Sequence, residues 1–179
     1  MEKREQAVQL KPDYAEVYYC LSKVLNQLGR RDDAIASLRH CLQLQPNHAG
    51  GCNNLGLSLT EAKAFHEAVI LLQHAVRVRP DMKEAHKNLG LAYTDLGRFD
   101  KAEASFQQAL CLDSGYVEAH SNLGNNYKEQ GRLEEALAFY QLAPEYPTRP
   151  VARGLTQLRH PACPMHGCNR SPGPDDPVP

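Results

Sequence analysis

The chain has 179 residues, with 20 Lys and Arg against 21 Asp and Glu and a net charge of −1. That balance excludes a general attraction to nucleic acid or to an anionic membrane, and no apolar run approaches the roughly 18 residues that span a bilayer. The charged start "MEKREQ" lacks the apolar core of a signal peptide, so the chain reads as a soluble cytoplasmic protein whose six cysteines stay reduced.

One period organises the sequence. Pro12, Pro46 and Pro80 are 34 residues apart, with Ser114 in the next place. Gly56, Gly90 and Gly124 keep that spacing, with Ser22 in the earlier slot, and so do Ala34, Ala68, Ala102 and Ala136. A fourth column holds Ala7, Cys41, Ala75, Ala109 and Ala143. With the proline placed at position 32, the chain divides into residues 1–14, repeats at 15–48, 49–82 and 83–116, an incomplete repeat at 117–143, and a tail at 144–179.

Residues 1–14 match only the last part of a second helix, with Ala7 and Pro12 in register, and read as the remnant of a truncated repeat. Repeat 1 sets Leu21, Leu25 and Leu38 at positions 7, 11 and 24, and Gly29 at position 15. Repeat 2 has Leu55, Leu59 and Leu72 in the same places. Its position 15 is Lys63, where a left-handed helix end favours glycine, and this costs about 1 kcal/mol. Repeat 3 follows with Leu89, Tyr93, Phe106 and Gly97, and repeat 4 with Leu123, Tyr127, Tyr140 and Gly131. Each repeat carries apolar residues at helical spacing on both sides of position 15, and proline stops the second helix. Each is therefore a helical hairpin, and stacking buries the apolar stripe that one hairpin alone leaves bare.

Repeat 4 breaks at Pro144, which falls at position 28, inside the expected second helix. Nine of the twelve prolines lie between residues 144 and 179, so the tail is expected to be disordered. Both ends of the array look cut. The chain reads as a piece of a longer array, or as one carrying unrelated sequence at its C-terminal end. Without a polar cap, Leu137 and Tyr140 are left partly exposed and invite self-association.

The columns at positions 7, 8, 11, 20, 24, 27 and 32 resemble the tetratricopeptide repeat. The departures are at position 4, where Tyr18, Cys52, His86 and His120 replace the usual large apolar residue. The resemblance implies an all-α, right-handed superhelix whose first helices line a hollow inner side, and a function in protein–protein interaction. Asn54, Asn88 and Asn122 recur at position 6 in "NNLG", "KNLG" and "SNLG". On a helical wheel that turns about 100° per residue, position 6 lies opposite the seam made by positions 4, 7, 8 and 11. A carboxamide both donates and accepts hydrogen bonds, so a row of them is able to hold a peptide backbone without reading side chains. The alternative is a solvating or structural role for the same column. Asparagine ladders of this kind also resemble those of the superhelical arrays in O-GlcNAc transferases, where they hold substrate peptides.

Lys23, Lys87 and Asn125 stand near the asparagines and complete the expected peptide-binding set. Acidic rows flank it at position 2 (Glu16, Glu84, Glu118) and position 13 (Glu61, Asp95, Glu129), where they either select a basic peptide or favour helix N-termini. The Lys-then-Asn pair that clamps a terminal carboxylate in this family is absent, since Lys87 is followed by Leu91 at position 9. No nucleophile–base pair or phosphate loop is found, so no cofactor, metal or catalysis is expected. His160, Cys163, His166 and Cys168 are too compressed for a zinc site and read as incidental. Cys41, Cys52, His86 and His120 fall on packing positions and read as structural. Two functions follow: a non-catalytic module that binds an extended peptide, or the substrate-recruiting part of an O-GlcNAc transferase-like protein without its catalytic domain.

Overall fold

The computed structural model describes residues 12–142, which form eight α-helices and no strand. They are α1 (Pro12–Gln27), α2 (Arg31–Leu44), α3 (Ala49–Glu61), α4 (Phe65–Val78), α5 (Lys83–Asp95), α6 (Phe99–Leu112), α7 (Val117–Glu129) and α8 (Leu133–Leu142). Consecutive pairs pack as hairpins, and each second helix also packs on the first helix that follows it. The result is an α–α solenoid of four hairpins. The first helices of repeats 2, 3 and 4 touch in succession, whereas no second helix makes a comparable contact with another second helix. The side built by first helices is thus the tighter, inner side of the stack.

Each hairpin turn follows one rule. Gly29, Gly97 and Gly131 have φ of +73°, +67° and +75°, and Lys63 takes the same left-handed conformation at +62°. The following amide reaches back over the turn: Arg30 N to Leu25 O at 2.9 Å, Ala64 N to Leu59 O at 2.8 Å, and Arg98 N to Tyr93 O at 2.8 Å. This is the Schellman closure, which satisfies carbonyls that a helix end would otherwise orphan. Lys63 is strained there because its Cβ crowds the backbone, a strain glycine lacks.

The seam within a hairpin is set by position 8. A Cβ added to Gly56 would stand 2.6 Å from Leu72 Cγ, one on Gly90 2.5 Å from Phe106 Cε1, and one on Gly124 2.7 Å from Tyr140 Cε1. In repeats 2, 3 and 4 the glycine at position 8 is therefore the floor for the large side chain at position 24. Leu38, Leu72 and Phe106 are wholly buried in the resulting core, together with Ala34, Ala68, Ala102 and Ala109.

One boundary differs from the sequence reading. Pro12 was expected to end a preceding helix, but it opens α1, which starts three residues before repeat 1 at residue 15. Proline suits the first turn of a helix because its missing N–H is an orphan there and its φ is already helical. At the ends of repeats 1 and 2 the prolines Pro46 and Pro80 instead lie between helices. The expected tail, its His/Cys group, Pro144 and residues 1–11 lie outside the described residues. No helix among the described residues is long and apolar enough to cross a membrane.

Candidate peptide-binding face

The inner face is built from α1, α3, α5 and α7. Its middle holds three linked carboxamides. Asn88 Nδ2 donates to Asn53 Oδ1 at 2.9 Å, and Asn53 Nδ2 donates to Asn54 Oδ1 at 3.1 Å. The three thus form a polarised run across two repeats. At one end Asn88 Oδ1 is buried and has no hydrogen-bond partner. At the other end Asn54 is only half-buried, and its Nδ2 is not engaged among the described residues. The Asn88 acceptor is enclosed by the protein, so the run presents only the Asn54 amide group to a ligand.

The expected row of three equal rungs is not what these residues form. Asn88 is 2% exposed, whereas Asn54 and Asn122 are half-buried. The reason lies at position 5, whose side chain borders position 6 of the next repeat. In repeat 2 that residue is Asn53, itself buried, and it draws the Asn88 amide inward. In repeat 3 position 5 is Lys87, whose ammonium leans over the Tyr116 ring at 6.0 Å, so Asn122 has no equivalent partner. Lys23 is exposed and lies 5.7 Å over the Tyr19 ring. Asn125 is exposed and accepts a 2.6 Å hydrogen bond from the Tyr140 hydroxyl. Lys23, Lys87 and Asn125 are therefore not gathered around the amide run; they are spread over repeats 1, 3 and 4.

Other polar residues carry structure. Position 4 has one role in three repeats: Cys52 Sγ donates to Pro46 O at 3.7 Å, and the imidazole Nε2 atoms of His86 and His120 lie 2.9 Å from Pro80 O and Ser114 O. Each side chain satisfies the carbonyl six residues earlier, at the proline column, which explains why polar residues replace the family's large apolar one. Burial lowers the His86 pKa, against a smaller opposing effect of the Pro80 carbonyl. Burial also raises the Cys41 thiol to about 11, with smaller contributions from Glu16 and Cys52. Cys41 and Cys52 are therefore inert core thiols at neutral pH.

Two contributions had no signal in the repeat columns. His48 caps α3, with Nδ1 accepting from Gly51 N at 2.8 Å and Nε2 3.0 Å from Glu16 Oε2. Glu16 thereby ties repeat 1 to repeat 2. Asn126 is wholly buried; its Nδ2 donates to Phe99 O at 3.2 Å and its Oδ1 accepts from Thr94 Oγ1 at 3.3 Å.

Stacked two-helix units with a polar inner face place the molecule among the helical-repeat proteins. Four tetratricopeptide-repeat family models match residues 15–48, 49–79, 84–116 and 117–143. Together they cover well over half of the sequence, and the chain belongs to the tetratricopeptide-repeat family. No curated protein shows a significant sequence match. Solved structures that it resembles include MamA, at 25% identity and a TM-score of 0.66 over 77% of this chain and 81% of that one. MamA from Desulfovibrio magneticus RS-1, residue 41 to its end, is similar at 26% identity and a TM-score of 0.65, over 70% and 71% of the two chains. The first repeat domain of Spaghetti (RPAP3), bound to the HSP90 peptide SRMEEVD, shares the fold at 19% identity and a TM-score of 0.64, over 66% and 94%.

Proposed function

We propose that the array is a non-catalytic binding module that holds an extended segment of a partner protein along the inner face of α1, α3, α5 and α7. The observation that carries this reading is the Asn88–Asn53–Asn54 run, whose buried members fix the half-buried Asn54 amide with its Nδ2 unengaged. The Asn54 Nδ2 is able to donate to a carbonyl of a peptide laid along this face, a hydrogen bond worth about 0.5–1.5 kcal/mol net. Asn122, Asn125, Lys23 and Lys87 supply further polar contacts along the path. A repeat domain of the same fold is known bound to a peptide, which supports a peptide as the class of partner. The terminal-carboxylate mode is disfavoured because Leu91 stands where the clamp needs asparagine. The same reading sets the chain in the cytoplasm, where its buried thiols stay reduced.

The finer reading, a substrate-recruiting part of an O-GlcNAc transferase-like protein, rests on the Asn-Leu-Gly recurrence alone. It requires a nucleotide-sugar domain that this sequence does not supply, so turnover of a UDP-sugar by this chain is expected to be nil. The binding reading is tested by selecting random peptides on the chain and measuring their affinity for the Asn54→Ala/Asn122→Ala variant. A loss of tenfold or more with unchanged helicity is expected. Undiminished affinity would remove the asparagines from the binding site.

A further inference from the structure

We propose that the two ends of the array are the two halves of one interface, and that a second copy of the chain docks there head to tail, as one repeat docks on the next. The evidence is a comparison along the repeat columns. At position 7, Leu55, Leu89 and Leu123 are 3%, 6% and 0% exposed, whereas Leu21 in the same column is 44% exposed. Position 3 behaves alike: Gly51, Ala85 and Ala119 are buried and Val17 is open. At position 10, Ala92 and Asn126 are buried while Val24 is open. With Tyr14 and Leu28 these residues make an exposed apolar stripe along α1, at the three-and-four spacing of one helix face.

What covers this face elsewhere in the molecule is known. A Cβ built on Gly51 would lie 3.1 Å from Leu42 and 3.2 Å from Cys41, both on the preceding second helix. The natural cover for the α1 stripe is therefore the outward side of a second helix. In the last repeat the positions of Cys41 and Leu42 lie outside the described residues, and among the described residues nothing covers the outward side chains of α8. Leu133 and Leu137 on α8 are 64% and 51% exposed, at positions 17 and 21. In repeat 2 those positions are Phe65 and Val69, half-buried and buried. The stripe and its complement thus sit at opposite ends of one chain, continuous with an interface that recurs three times inside it. A contact between unlike faces leaves a free face on each added copy, so association does not stop at a pair.

The test uses the full chain in sedimentation velocity over a wide range of concentration. The expected result is a mass that rises steadily without a plateau at the dimer. Leu21→Glu and Leu137→Glu each block one face, and both side chains are exposed enough for the fold to tolerate the charge. Each variant alone is expected to stay monomeric. An equimolar mixture restores one unblocked pairing and is expected to give a dimer and nothing larger. Val17→Glu replaces Leu21→Glu if the latter loses helicity. A wild-type chain that stays monomeric, including through cover of α1 by residues 1–11, would overturn the proposal. So would a plateau at the dimer, or association that either variant leaves intact.

Discussion

Replacing Gly90 with alanine sets two opposing effects against each other. In an exposed helix interior the change would stabilise by about 1 kcal/mol, because glycine has the greater backbone entropy to lose. Here the new Cβ would stand 2.5 Å, 2.7 Å and 2.7 Å from three atoms of the Phe106 ring. Carbon atoms prefer about 3.5–4.0 Å, so the ring must retreat by about 1 Å. Phe106 is wholly buried among Ala102, Ala109 and its neighbours, and has nowhere to go. Overpacking of this kind costs about 1–3 kcal/mol, and the immobile ring argues for the upper part of that range. The net expectation is a loss of about 1–2 kcal/mol. A loss of that size lowers Tm by roughly 2–8 °C in a chain of this length, readable by circular dichroism. Gly124→Ala makes the control. Its Cβ would meet Tyr140 at 2.7 Å, but that ring is only half-buried at the end of the array and is able to tilt, its one hydrogen bond, to the exposed Asn125, following it or passing to water. Its net effect should lie within about 0.5 kcal/mol of zero. A Gly90→Ala protein as stable as the wild type, or no less stable than Gly124→Ala, would refute the close-packing account of position 8.

Three further outcomes are expected. Lys63→Gly should stabilise by about 1 kcal/mol, since Lys63 holds the left-handed position that glycine fills in the other three repeats; urea titration with an unchanged m-value reads it. Asn53→Ala should cost about 1–3 kcal/mol by leaving the buried Asn88 amide with no partner at all, while Asn122→Ala should stay within about 0.5 kcal/mol; equal losses would show that burial of the amide run has no energetic content. Stability should also fall with acidification through His86. Burial holds its pKa below the ordinary value, so above about pH 6.5 the ring is neutral in both states and nothing is lost. Below that, the unfolded chain takes up a proton that the native one resists, and stability drains away down through the folded pKa. The gap between wild type and His86→Gln in urea midpoint should therefore narrow or reverse from about pH 7.5 to about pH 5.5; a gap independent of pH would contradict this.

Much of the architecture was legible because a repeat writes its packing several times over. The glycines at positions 8 and 15 had distinct physical duties, close approach in one case and a left-handed turn in the other, and both could be read from a single column. The candidate site was less legible, because it depends on neighbours that the period does not fix. Asn54, Asn88 and Asn122 share a column, yet Asn88 alone is drawn inward, since only repeat 2 offers an asparagine at position 5. The helix wheel locates a side chain by angle and is silent about the next repeat across the groove. His48, Glu16 and Asn126 escaped for the same reason: each bonds between helices that are distant in sequence, over 27 to 32 residues. Position 4 shows the converse. Its histidines looked like departures from the pattern, but they serve a carbonyl that the proline column leaves exposed to every repeat.

The claim that carboxamides on the inner face grip a peptide backbone is tested most directly by a thermodynamic cycle. A selected peptide is made with each backbone amide in turn replaced by an ester, which deletes one N–H and weakens one carbonyl acceptor. Each version is titrated by calorimetry against the wild type and against Asn54→Ala. The account predicts a coupling of about 0.5–1.5 kcal/mol at one position of the peptide, the net worth of a hydrogen bond, and additivity elsewhere. Additive effects at every position would mean that the Asn54 amide does not touch the backbone.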